Sequence, residues 1–169
     1  MVGVSAPSQH LIVVDGKPLV DERIVETATN MIPGRLCKKG TASQQIIVNT
    51  AAAFPMGWIG FEHSSSRFKP ADIDTAYAAN DVVAVLYGGH FVVQGLLTTS
   101  QTIVDGDVLV PAANGLLQKG TVLVATSGAS TTTLAITGNY PGDGIPIARA
   151  RESVTTSGSI GRIAALSMI

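Results

Sequence analysis

The sequence predicts an all-β protein, a small β-barrel of short strands and short hairpins with at most one short helix. Three observations carry that expectation. Turn-forming pairs recur at short intervals through the second half, at Gly88-Gly89, Asp105-Gly106, Asn114-Gly115, Gly138-Asn139 and Ser157-Gly158. Gly, Asn and Asp tolerate the positive φ that tight hairpins require. The runs between these pairs are of strand length and rich in Val, Ile, Leu and Thr. Helical spacing is suggested in one stretch alone, residues 68–80.

Taken in order, residues 1–23 read as an extended N-terminal arm. Its apolar island, Leu11-Ile12-Val13-Val14, is too small to build a core and is followed by Asp15-Gly16-Lys17-Pro18. A local hairpin is the other reading of that stretch. Residues 24–169 form the barrel domain. Strands are expected at 35–39, 45–49 and 57–61. Residues 68–80 fit a helix with Pro70 in its first turn and Ile73, Ala76 and Tyr77 on one face, or equally an irregular loop. Val82 to Tyr87 is apolar at successive positions, which places it under cover on both faces. Gly88-Gly89 reads as a hairpin turn into a strand at 91–97, with His90 on its flank. Asp105-Gly106 reads as the turn between 101–104 and 107–110. Strands at 121–126, 133–137, 145–148 and 160–166 complete the expected set.

Charge narrows the function. Eleven Lys and Arg against twelve Asp and Glu give a net charge of −1, which excludes a chain-wide electrostatic grip on nucleic acid or anionic membrane. Charged residues make up 14%, against ~25% in ordinary soluble domains. A surface so poor in ions is suited to burial against other subunits. The longest uncharged span, 82–104, is interrupted by glycines and polar residues, so no membrane helix is expected. Nor does the start carry a signal-peptide pattern. The single cysteine, Cys37, closes no internal disulfide.

Catalytic chemistry finds little support. His10, His63 and His90 are far apart and match no metal-ligand spacing. Asp105-Gly106-Asp107 lacks the remaining ligands of a calcium loop, and a hairpin turn explains it. Phosphate-binding glycine motifs and a nucleophile elbow are absent. Cys37 lies beside Lys38 and Lys39, but a lone strand cysteine ordinarily serves as a small hydrophobe. Ser43 or Ser64 to Ser66 with Lys38 or Lys69 would be needed for a Ser/Lys hydrolase, and their spacing does not ask for one. We therefore expect no catalytic, cofactor-binding or metal residues. Candidate interface residues are Leu11, Ile12, Val13 and Val14, the anchors Trp58 and Phe61, and the pair Arg149 and Arg151. The two arginines alternate with Ala148 and Ala150 and should share one strand face.

The order of the pieces resembles the capsid decoration (cement) proteins of tailed phages. Ile24-Val25-Glu26-Thr27-Ala28-Thr29-Asn30-Met31-Ile32-Pro33-Gly34 is similar to their opening segment, in which an Asn-containing stretch meets a Pro-Gly turn and then a strand. Tyr77-Ala78-Ala79-Asn80-Asp81 before Val82 to Val85 resembles their Tyr–Asp approach to an apolar strand. Thr102 to Val110, with Asn114-Gly115, resembles their Gly-Asp hairpin, and Ile145 to Arg151 with Ser159 to Leu166 their closing strand pair. The resemblance spans residues 24–166. It implies a β-tulip barrel, a homotrimer, and a site on the outer capsid surface of the virion, after synthesis in the host cytoplasm. It also implies the major capsid protein as partner, with no direct nucleic acid and no membrane contact. Residues 60–70 look like an inserted loop, and the arm before Ile24 matches no part of that pattern. Strand addition to a neighbouring subunit is the role the arm suggests. A small β-barrel Ser/Lys hydrolase, or another phage structural module from tail or fibre, is the alternative.

Overall fold

A computed structural model of the chain describes residues 12–51, 53–120 and 145–169, together with the backbone of strands at 124–127 and 134–137. In chain order the first strands are β1 (Val13–Asp15), β2 (Leu19–Val25), β3 (Leu36–Lys39), β4 (Gln45–Val48), β5 (Gly57–Ile59) and β6 (Val82–Tyr87). Then come β7 (Val92–Leu97), β8 (Thr102–Ile103), β9 (Val108–Pro111) and β10 (Leu117–Lys119), with a 3-10 turn at Ala113–Gly115. Last are β11 (Val124–Ser127), β12 (Leu134–Thr137), β13 (Ala148–Ala150), β14 (Val154–Thr155) and β15 (Gly161–Ser167).

These strands close into two five-stranded barrels. The first runs β2-β4-β3-β5-β6, sealed by antiparallel β2–β6 pairing and a short parallel β2–β4 contact. The second runs β7-β10-β9-β13-β15 and is sealed by β7–β15, with β1 on the remaining part of the β7 edge. Closure satisfies backbone groups that an open sheet would leave on its edges. Two ribbons stand outside the barrels, β8–β14 and β11–β12.

Side-chain alternation explains why β6 is apolar throughout. Val83 and Val85 join Val25, Cys37, Ile46 and Ile59 inside the first barrel. Ala84 and Leu86 face the other way, into the larger cluster with Leu36, Trp58, Val93, Leu97, Leu117 and Ile163. A strand shared by two cores has no polar face. The expected all-β class and the double cover of this strand both stand.

Several connections differ from expectation. Gly88-Gly89 and His90 do not turn a hairpin, because β6 and β7 belong to different barrels; this short link carries the chain from the first barrel to the second. Likewise β8 pairs with β14, and β9 with β10 and β13, so Asp105-Gly106 turns the chain without pairing its flanking strands. Asn114-Gly115 does lie in a true hairpin, β9–β10. Glu62 and His63 sit in a turn outside any strand.

The stretch 68–80 is a succession of turns and bends. In a helix Ile73 and Tyr77 would lie on one face. Instead Ile73 enters the large core and Tyr77 the first-barrel core. Asp72 Oδ1 accepts from the Asp74 N–H at 2.9 Å and from the Thr75 hydroxyl at 2.9 Å, and such local bonds compete with a helix ladder. Of the expected N-terminal arm, residues 12–23 are tied to both barrels: β1 pairs with the edge of β7, and β2 is a strand of the first barrel, paired with β6.

Candidate docking surface

Trp58 fixes the two barrels to each other. Its backbone lies in β5, paired with β3 and β6. Its ring reaches into the second barrel, where the Nε1–H donates to Ser167 Oγ at 3.0 Å. Opposite the ring is Gly95 on β7. A Cβ there would come within 2.6 Å of Leu117 Cδ1 and 3.1 Å of the indole, so a side chain at this position would push Leu117 aside and crowd the ring. Trp58, Ile12 and Phe61 are all buried within the chain. The Ile12 and Val13 N–H groups both donate to Glu62 Oε1, and the Lys69 ammonium sits 4.1 Å from the Phe61 ring centroid.

Val13 is half-buried, whereas Val14, Arg149 and Arg151 are exposed. Leu11 lies outside the described residues. Arg149 lies in β13 and Arg151 in the bend just after it, on either side of the buried Ala150 in sequence, and neither forms an ion pair among the described residues. Large apolar side chains are also exposed, led by Phe54 at 61% and Leu19 at 59%.

The nucleophile candidates do not assemble a reactive pair. Burial pushes the Cys37 thiol up to about 12, so it stays protonated inside the barrel. Ser64 Oγ accepts from the Tyr77 hydroxyl at 2.7 Å and from the Ala84 N–H at 3.2 Å. Lys38 Nζ is taken up by Thr50 Oγ1 at 3.1 Å. Among the described residues no three His, Cys, Asp or Glu side chains gather as metal ligands. No helix among them is long and apolar enough to cross a membrane.

Against this geometry, a family described as structural cement protein (E217 gp24/Pam3 gp6) matches residues 12–167. The chain belongs to the phage structural cement protein family. It is a structural component of the virion head surface and not an enzyme. The match starts at residue 12, within the stretch expected to be an arm. Among solved structures the chain is similar to the head fibre gp8.5 N base of bacteriophage phi29. The two are 11% identical with a TM-score of 0.47, over 90% of this chain and 99% of that one. Among curated proteins no match is found.

Two side chains that share a cleft in this cement protein escape sequence reasoning. Arg35 and Arg162 are 127 positions apart, yet both line one cleft of about 340 Å³. Arg162 reaches back across the barrels to Asp74 Oδ1 and the Ile73 carbonyl, at 2.8 and 2.6 Å from Nη2. Arg35 is buried and donates from Nη1 to the Asn114 carbonyl at 2.9 Å. Desolvation, with the like charge of Arg162, holds its pKa below the ordinary arginine value. The available signal was an arginine inside the apolar strand run 160–166.

Proposed function

We propose that this cement protein docks as a homotrimer on the outer face of the head, over junctions between copies of the major capsid protein. There it stabilises the shell against the pressure of packed DNA. The family match over residues 12–167 carries the reading. An ion-poor chain with exposed Phe54, Leu19, Val14 and Val20 supports it, since apolar surface of this kind gains by burial between proteins. Closed barrels serve as rigid blocks, while the β8–β14 and β11–β12 ribbons are left for contact. Exposed Arg149 and Arg151 suit the polar rim of such an interface.

The N-terminal segment acts as a clamp in this reading. β1 is the last strand of its sheet, the position at which a strand from a neighbour extends it. Residues 1–11 lead directly into it.

Mass photometry of the purified protein, alone and mixed with heads lacking it, tests the proposal. A trimer mass and saturable decoration of heads are expected. Protein that leaves heads bare would overturn the docking reading, and a monomer at saturation would overturn the trimer. Unchanged decoration after deletion of residues 1–11 would remove the clamp.

A further inference from the structure

The Arg35–Arg162 cleft lies where the two barrels meet. Ile32 and Arg35 come from the turn leading into β3, Ile73 and Asp74 from the long loop before β6, Leu96 from β7, and Ile160 and Arg162 from β15 and its approach. The Pro33-Gly34 turn is pressed onto this place. Gly34 has φ +86°, and a Cβ there would strike the Gln94 carbonyl oxygen and come within 3.1 Å of Arg162 Nη1. The Pro33-Gly34 side of the site is thus built by close packing.

Its charge is unbalanced. Two guanidinium groups line the cleft with one carboxylate, Asp74, whose side chain is 75% exposed and held by Arg162 at 2.8 Å, while Arg162 Nη1 reaches the Pro33 carbonyl at 3.4 Å. Arg35 is 4% exposed, and its buried Nε–H has no hydrogen-bond partner among the described residues. A buried donor on a charged group is costly to leave unmet. Apolar walls from Ile32, Ile73, Leu96 and Ile160 surround the two cations. A carboxylate on a short aliphatic stem matches that lining, because guanidinium groups bind carboxylates through paired, charge-assisted hydrogen bonds.

We propose that this cleft receives the side-chain carboxylate of an aspartate or glutamate presented by the shell protein. The inference rests on the docking reading for the source of the acid, and on the cleft alone for its chemistry.

The test has two arms on the full chain. In the first, ¹⁵N–¹H spectra follow the Arg35 Nε–Hε signal during titration with propionate, with propionamide as the neutral control and inorganic phosphate as a rival anion. Propionate is expected to give a saturable shift and propionamide none. Arg162→Gln should weaken propionate binding about tenfold. Asp74→Asn, by removing the competing acid, should tighten it about threefold, a gain that misfolding could not produce. Equal shifts from propionamide, or tighter binding of phosphate than of propionate, would overturn the carboxylate assignment. In the second arm the same variants compete for undecorated heads. Weaker decoration by Arg162→Gln and stronger decoration by Asp74→Asn are expected. Unchanged decoration by both would overturn the shell as the source of the acid. Failure of the wild-type protein to decorate heads would overturn the docking reading and leave the first arm standing.

Discussion

The indole of Trp58 belongs to one barrel by its backbone and to the other by its packing, so its loss should be felt across the whole body. Trp58→Phe removes the bond to Ser167 Oγ and part of the ring that fills the space opposite Gly95. A cost of about 2 kcal/mol follows from one hydrogen bond plus a partial cavity. Gly95→Ala forces a methyl against Leu117 and the indole, at about 1–3 kcal/mol. The double variant should cost less than the sum, because the smaller ring gives back some of the space. Urea midpoints of the four proteins measure the coupling, and strict additivity would contradict the packing argument. A second residue controls alkaline behaviour. Burial pushes the Tyr77 phenol up to about 12 from 10.0, partly offset by its bond to Ser64. The folded state therefore holds this proton more tightly than the unfolded chain does. Its contribution to stability is complete below the unfolded pKa and is lost as pH rises through the folded one. Cys37 acts in the same sense, from 9.0 to about 12. Urea midpoints should hold to about pH 9 and fall between about pH 9 and 12, with a shallower fall in Tyr77→Phe. An equal slope in that variant would contradict the assignment.

The β11–β12 ribbon is an insertion into a finished barrel. The Gly120 N–H donates to the Val108 carbonyl and the Ile147 N–H to the Leu109 carbonyl, so the chain leaves and returns on the two sides of β9. That gap is two ladder spacings, roughly 10 Å, and six Gly/Ser residues span it easily, reaching ~20 Å when extended. Exchanging residues 122–144 for such a linker should leave both barrels folded, with a Tm within about 5 °C of wild type. A two-stranded ribbon is marginal on its own in water, and residues 121–144 carry a single charge, Asp143. In the docking proposed above, its place is against a neighbour. Loss of trimer mass or of head decoration is the expected outcome, read by mass photometry; full retention of both would remove the ribbon from the interface. The same scale shows what was legible in the sequence. Runs of Val, Ile and Thr between turn pairs located most strands to within a residue or two, because pleat and turn chemistry are local. Arg149 lay outward between buried Ala148 and Ala150 as alternation required. The partition into two barrels was not legible. Gly88-Gly89 reads the same whether the chain doubles back or crosses over, and the parallel β2–β4 and β7–β10 pairs join residues distant in sequence. Ile73 and Tyr77 had helical spacing but different cores to fill, a fact that only the tertiary arrangement contains. The meeting of Arg35 with Arg162 is illegible for the same reason.

At the scale of the whole molecule, a net charge of −1 leaves little long-range field to steer association. Retention on the head must then come from contact area and from the number of points engaged at once. A ligand that binds only the intact shell stabilises it by mass action, by RT ln(1 + [L]/Kd) per site. Above Kd, each tenfold rise in free protein adds about 1.4 kcal/mol per site, multiplied by the number of sites that must open for the shell to fail. In the docking proposed above, the join between the two barrels decides how much strain on the shell reaches the docked contacts and how much the cement protein absorbs by deforming. Filled heads lacking the protein should therefore release DNA at a lower temperature than decorated ones. Adding purified protein should raise the release temperature steadily with the logarithm of its concentration beyond half-saturation. Trp58→Phe, which weakens the join between barrels, should flatten that rise before it abolishes decoration. DNA-dye fluorescence during a thermal ramp measures all three. A release temperature that ignores protein concentration, while decoration is seen to saturate, would show that the bound protein carries no load.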